Sequence, residues 1–349
     1  MSIVRLAVTL IALLSLPACT TTRYLLQAGC GQLELSLGGR DIAAVARDPR
    51  TSPRTSALLA RIGQIKRFGE KNGLTATKSY SEYVDLERDA AVWVVTAAEP
   101  LGFRTRTWSF PIAGEVPYLG WFRREDADDY ASDLRDDGWD VDVRGAGAYS
   151  TLGWFDDPVL STMIPEGDQA VGELANVVLH ESVHASFYVA SQSILNESVA
   201  NFMGDRLTEA YLDEALGHDA SETQAYLEGV REGERRSALF RDARRRLESL
   251  YASNRSRGDK LADKRSILAA LRTETGIVRQ INNATLAQYE IYNTGSAKLE
   301  ALLAACGGSW RRFLGTLHRL TPATFAAAQE RNLDAVILPL VRARCPAPG

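Results

Sequence analysis

Residues 171–190 read Val-Gly-Glu-Leu-Ala-Asn-Val-Val-Leu-His-Glu-Ser-Val-His-Ala-Ser-Phe-Tyr-Val-Ala. The run contains no proline, and apolar residues recur at 174, 177, 178, 187 and 189, a pattern that predicts a buried helix. His180 and His184 are four apart, so their imidazoles stand on one face, one turn above the other. Two neutral imidazoles in that relation can bind a single Zn²⁺. Glu181 falls about 100° round the helix, beside such an ion but off the ligand row. There it is placed to take a proton from an attacking water. The chain has only 4 histidines. Chance assembly of H-E-x-x-H from that composition has a probability of order 10⁻³.

A catalytic zinc needs a third protein ligand and an open position. The stretch Ser193-Ile194-Leu195-Asn196-Glu197-Ser198-Val199-Ala200-Asn201-Phe202 opens a second helix. Twelve residues separate His184 from Glu197, enough for the first helix to end and the chain to reverse. Glu197 is therefore the expected third ligand, and its apolar neighbours Val199, Ala200 and Phe202 place it in a buried helix. Asp205 is an alternative ligand, or an outer partner that orients an imidazole. His218 and His318 lack helical partners and read as ordinary residues.

Working outward, Leu58, Leu59, Ile62, Ile65 and Phe68 have helical spacing before an Asn72-Gly73 stop. Residues 91–97 and 117–122 read as strands, an acidic helix spans about 124–137, and 139–143 alternates like a strand. From about residue 169 the pattern is almost wholly helical, with a long charged helix near 219–253 that contains Arg241, Arg244, Arg245 and Arg246. The last helices are punctuated by Pro322 and Pro339. These features predict an α+β fold: a small module over 19–168, with strands packed on a helical region over 169–349 that carries the metal site, in one packed body.

At 349 residues, with 45% hydrophobic and 24% charged content, the chain can bury a large core and is not disordered. A net charge of −4 gives no electrostatic case for nucleic acid. Residues 1–18 read as a secretory signal: Arg5, then an apolar run from Leu6 to Leu16 too short to span a bilayer permanently. The ending Leu16-Pro17-Ala18-Cys19 resembles a bacterial lipobox, which implies cleavage before Cys19 and acylation of its thiol. The mature protein is then expected to be lipid-anchored in the bacterial cell envelope, facing the periplasm, and at the outer membrane in a Gram-negative cell. Export leaves Cys30, Cys306 and Cys345, from which one disulfide involving Cys345 is expected, its partner open.

H-E-x-x-H followed by Asn-Glu-Ser-x-Ala resembles the gluzincin metallopeptidases. More closely, the chain is similar to a bacterial family of predicted aminopeptidases, many of them lipoproteins. The similarity extends to Ala148-Tyr149-Ser150-Thr151-Leu152-Gly153-Trp154-Phe155-Asp156-Asp157-Pro158 and to Asn282-Asn283-Ala284, and covers most of the mature chain. The resemblance implies a zincin-like fold, zinc on His180, His184 and Glu197, Glu181 as base, and a peptide substrate. Residues 149–155 read as a strand-like segment ending in a Gly153 turn. In zincin-type peptidases an edge strand at this place binds extended peptide. An aminopeptidase also needs an acid for the substrate amine, and Asp156, Asp157 and Glu173 are candidates. Tyr149, Tyr289, Tyr292, Asn282 and Asn283 are candidate donors to the oxyanion. Two other readings are a closed, zinc-stabilised envelope lipoprotein without turnover, with Asp205 as fourth ligand, and an endopeptidase with a cleft open at both ends.

Overall fold

The computed structural model describes residues 20–110, 114–149, 151, 156–292, 296–343 and 345. It opens with helix α1 (Thr20–Gly38), strand β1 (Arg40–Asp41), helix α2 (Ile42–Arg47) and helix α3 (Pro53–Lys71). Helix α3 starts where the Ser52 side chain accepts from the Thr55 N–H, and Pro53 sits in the first turn, where a missing N–H costs nothing. Its buried face is Leu58, Leu59, Ile62, Ile65 and Phe68, the stripe that the spacing predicts.

Strands β2 (Glu82–Val84), β3 (Val92–Ala98), β4 (Trp108–Phe110), β5 (Gly114–Val116) and β6 (Leu119–Trp121) follow, then helix α4 (Arg124–Asp136), β7 (Asp140–Ala146) and β8 (Val159–Leu160). Beyond β8 the described elements are all helical: α5 (Ala170–Ser186), α6 (Ser193–Ala215), α7 (Ser221–Ala252), α8 (Arg257–Thr275), α9 (Asn283–Tyr292), α10 (Ser296–Ala305), α11 (Trp310–Leu317) and α12 (Leu333–Ala343), with short 3₁₀ turns. The molecule is α+β.

Strand β3 is the centre of an antiparallel sheet in which Val94 lies opposite Gly120 of β6 and Arg144 of β7. Both faces of β3 are covered, which accounts for its unbroken apolar run. Val95 and Ala97, with Leu119, Trp121 and Val141, receive Ala127, Tyr130, Ala131 and Leu134 of α4. On the other face Val92 and Val94 join the largest core cluster, and Ala98 meets Ala284 and Ala287 of α9. A second sheet pairs β2 antiparallel with β1 and parallel with β8. The largest cluster runs from Leu35 through Leu59, Val84 and Leu160 to Leu174, Leu207 and Leu340, so it draws on residues either side of 168. Cys345 is bonded to Cys306, closing a loop with a sequence separation of 39, and Cys30 is free and exposed. A loop of that length corresponds to roughly 4 kcal/mol on a chain-entropy account.

The arginines of α7 are mostly committed within the molecule. Arg244 lies 4.1 Å from the Phe103 ring centroid and pairs with Glu248 and Glu290 at 2.9 and 2.8 Å, and Arg245 pairs with Asp242 at 2.9 Å. Asn282 and Asn283 belong to a network that docks α7–α9 onto the sheet. The Asn283 side chain, fully buried, donates to the Glu99 and Gly102 carbonyls at 2.9 and 2.8 Å and accepts from the Tyr251 hydroxyl at 2.8 Å. Its N–H donates to Asp140 at 3.0 Å, where the buried Lys264 ammonium also pairs. Asn282 donates to the Val141 carbonyl at 2.9 Å, and Thr285 donates to Asp142 at 2.9 Å. These two asparagines, candidates for an oxyanion donor in the sequence, are thus occupied in joining helices to strands. Asn283→Ala removes the donor to the half-buried Glu99 and Gly102 carbonyls and the acceptor of the Tyr251 hydroxyl, and is expected to cost about 2–3 kcal/mol of stability, read from urea unfolding. A loss below about 0.5 kcal/mol, within the range of an ordinary surface change, would show that the network does not hold these helices.

Candidate metal centre

Helix α5 supplies His180 and His184, and helix α6 supplies Glu197. The first helix ends where Phe187 turns extended, at φ −148° and ψ 122°. The Ser186 carbonyl accepts from His318 Nε2 at 2.8 Å, and the Ser186 hydroxyl accepts from the Thr75 N–H at 2.8 Å, so the helix end is satisfied by side chains and loop backbone. His318 is therefore a capping residue, outside the metal cluster.

The chain then reverses. The amide of Asn196 brackets Val189, accepting from its N–H at 2.9 Å and donating to its carbonyl at 2.8 Å. Ser191 adopts a positive φ of 62°. Its hydroxyl accepts from the Glu115 N–H at 3.0 Å and its carbonyl from the Gln329 N–H at 2.7 Å. Gly114, with φ +73°, lies so close that a Cβ there would sit 2.2 Å from the Ser191 hydroxyl. A Cβ on Gly204 would lie 3.3 Å from His180 Cβ and 3.4 Å from its Cα. The missing side chain at 204 is what lets α6 lie against the ligand row of α5.

The result is a convergent donor set. His180 Nε2 and His184 Nε2 are 3.2 Å apart, and Glu197 Oε2 lies 3.5 Å from the first and 3.7 Å from the second. His184 and Glu197 are buried and His180 is nearly so. The three are close enough to bind a metal ion. A tetrahedral zinc with ligand bonds of about 2.0–2.2 Å has ligand–ligand edges near 3.4 Å, so the separations are compatible with that ion. Glu197 Oε2 is buried with no hydrogen-bond partner, aimed at the two ring nitrogens, which is the residue of polarity that a cation would satisfy.

Electrostatics follow from this packing. Burial works against a charge on His180, but the Glu197 carboxylate 3.5 Å away and the charges of Glu181 and Asp205 outweigh it and push the pKa up to about 9. Burial raises the Glu197 pKa, yet the closeness of His184 and His180 holds the carboxyl well below the usual carboxylate range. The Glu197 carboxylate also accepts from Tyr118 Oη at 3.3 Å.

Among the sequence-predicted residues, Glu181 is half-buried and close enough to His180 and to Tyr80 for its charge to act on both. Asp205 is outside the three-residue cluster and accepts from Asn176 at 2.9 Å. Asp157 is buried, with its carboxylate accepting from the Thr151 N–H at 2.9 Å and hydroxyl at 2.8 Å. Asp156 is exposed and lines a cavity of about 470 Å³ with Lys66, Thr77 and Lys78. Glu173 lies in the first turn of α5, its pKa raised by burial against a hydrogen bond from Gln169. Tyr149 packs edge-on to Phe122 at 4.9 Å, and burial raises its hydroxyl pKa. Tyr289 shares a 2.9 Å hydrogen bond with Ser237 and stacks on Phe240. Tyr292 is the last residue of α9, while its side chain, Gly153 and Cys19 lie outside the described residues.

Three tyrosines not singled out in the sequence surround the site. Tyr118 bonds Glu197 directly. Tyr188 has its pKa raised by burial and by the Glu197 charge. Tyr80 is buried at a positive φ of 64°, its pKa raised well above the usual value by burial and by the charges of Glu181 and Asp157. Only Tyr188 carried a local signal, standing four residues beyond His184.

The chain matches, over residues 23–333, the model of a family described as "Putative aminopeptidase". It belongs to that family. Membership points to peptidase activity, and the His180–His184–Glu197 cluster falls inside the matched span. No curated protein and no solved structure gives a match. Because Tyr118 holds one Glu197 oxygen, Tyr118→Phe is expected to weaken metal-ion affinity at this cluster by about 10–100-fold, as removal of an outer partner does. Competition against a chromophoric chelator measures this, and unchanged affinity would show that the hydroxyl does not orient the ligand.

Proposed function

We propose that the protein is a zinc-dependent aminopeptidase of the bacterial envelope, anchored through acylated Cys19 and acting on peptides. The observation that carries this reading is the buried His-His-Glu set with Glu181 one residue along from His180. Zinc held there would polarise a scissile carbonyl and acidify water, the chemistry that it supplies in hydrolases. His180, His184 and Glu197 would hold the ion. Glu181 takes the proton of the attacking water and passes it to the leaving amine. Among the described residues three donor side chains rather than four converge, with Asp205 turned to Asn176, which supports a catalytic arrangement over a closed structural one.

Glu181→Gln is expected to lower turnover by about 10²–10⁴-fold, the usual contribution of a positioned base, while keeping one zinc per chain. Metal analysis and a panel of aminoacyl and internally quenched peptides read the two effects separately. Full activity in the variant overturns the mechanism. Cleavage confined to internally quenched peptides, with aminoacyl substrates untouched, replaces the aminopeptidase by an endopeptidase.

A further inference from the structure

Among the described residues five large hydrophobic side chains are exposed, and four of them stand on α1: Leu25 at 49%, Leu26 at 62%, Leu33 at 57% and Leu37 at 78%. Leu26, Cys30, Leu33 and Leu37 are spaced four, three and four apart, which puts them in one stripe along the helix. Cys30 in the middle of the stripe is exposed and unpaired. The two charged residues of α1 are exposed but lie off the stripe and pair with the body, Arg23 with Asp126 at 2.7 Å and Glu34 with Arg88 at 3.2 Å. The opposite side is fastened down: Leu35 is buried, Tyr24 packs edge-on to Trp121 at 5.6 Å, and Gly31 lies against the Phe122 ring. Gln27 brackets β6, donating to the Gly120 carbonyl at 3.2 Å and accepting from the Phe122 N–H at 3.0 Å. An apolar outer face on a helix so firmly seated is neither a frayed end nor a core face, and contiguous exposed apolar surface marks an interaction site.

We infer that this face of α1 lies on the lipid surface, flat in the interface, and sets the orientation of the whole molecule. The inference rests on the reading of Cys19 as the acylated residue. The helix begins at Thr20, one residue after that cysteine, so acyl chains on Cys19 hold its first turn at the bilayer. No described helix is long and apolar enough to cross a membrane, so α1 lies along the surface, where an apolar helix face sinks about 5–10 Å into the headgroup and acyl boundary. The stripe from Leu26 to Leu37 gives a contact about 17 Å long. Since Arg23 and Glu34 lie off the stripe and are each paired with a body residue of opposite charge, the contact is apolar and requires no anionic lipid.

The test uses the full chain, extracted from membranes and reconstituted in phosphatidylcholine vesicles, with a thiol-reactive fluorophore on Cys30. The control carries the same probe at position 278 through Cys30→Ser and Val278→Cys, Val278 being 86% exposed. Lipids bearing a nitroxide near the headgroup are expected to quench the Cys30 probe at least two-fold and leave the probe at 278 bright, with iodide in the water doing the reverse. Leu26→Ser, Leu33→Ser and Leu37→Ser together are expected to abolish the lipid quenching at Cys30 while the chain stays with the vesicles. Any result without lipid quenching at Cys30 overturns the inference, including a Cys30–Cys30 cross-link, which would mean that a second copy covers the face. Intact mass reports acylation of Cys19 independently. An unacylated chain still quenched by lipid would remove the anchor and retain the contact, and peptidase activity bears on neither.

Discussion

The site depends on how closely two helices approach. At Gly204 the backbone of α6 comes within van der Waals reach of His180, at a distance that even a methyl group would press upon. Only at that separation does a carboxylate one side chain long reach two imidazoles one turn apart. The turn between the helices has to agree, and Asn196 ensures this by closing both backbone bonds of Val189 immediately before Glu197. The ligand and the residue that fixes its approach are thus neighbours in sequence, so that rotation of α6 would break both together. A donor set placed within about half an ångström by packed helices is pre-organised, and the binding energy of an ion is not spent on assembling it.

That arrangement stores an electrostatic problem. A carboxylate and two imidazoles removed from water lose solvation, and one Glu197 oxygen has no hydrogen-bond partner. Burial disfavours a charge on His180, yet the nearby carboxylates of Glu197, Glu181 and Asp205 push its pKa up to about 9. A divalent cation at these atoms would neutralise the carboxylate and use both ring lone pairs. Metal and protons therefore compete for the same atoms. The buried polar set is costly empty and satisfied when filled, which supports reading it as an ion site over reading it as a structural ion pair.

Local patterns made much of this legible. The four-residue spacing of His180 and His184 fixed their shared face, and the gap to Glu197 allowed the reversal that the structure contains. The run of α3 and the apolar stretch of β3 became a buried helix face and a doubly covered strand. What failed was everything that depends on distant partners. Tyr118 stands 79 residues from Glu197 and looks like any strand tyrosine. Asn282 and Asn283, polar and adjacent, suggested donors to substrate, whereas their amides are spent on carbonyls more than 140 residues away. Asp157, a candidate clamp for an amine, accepts from Thr151, a contact that no periodicity announces. The sequence reports side-chain chemistry well, but it does not report which partner uses that chemistry.

Tyr118 also connects the two halves of the molecule. It leaves the sheet side immediately ahead of β6 and gives its hydroxyl to a ligand on the helical side. Two residues later, Gly120 accepts from Gln27 of α1, whose outer face carries the exposed leucines. From that face to the metal ligand the path crosses one helix and three residues of backbone, all of it hydrogen-bonded or buried. A displacement of α1 against the body would have to break the Gln27 bracket and the Tyr24–Trp121 contact before it could leave Tyr118 undisturbed. The surface proposed to lie on lipid and the His180–His184–Glu197 cluster are therefore joined by one continuous set of contacts.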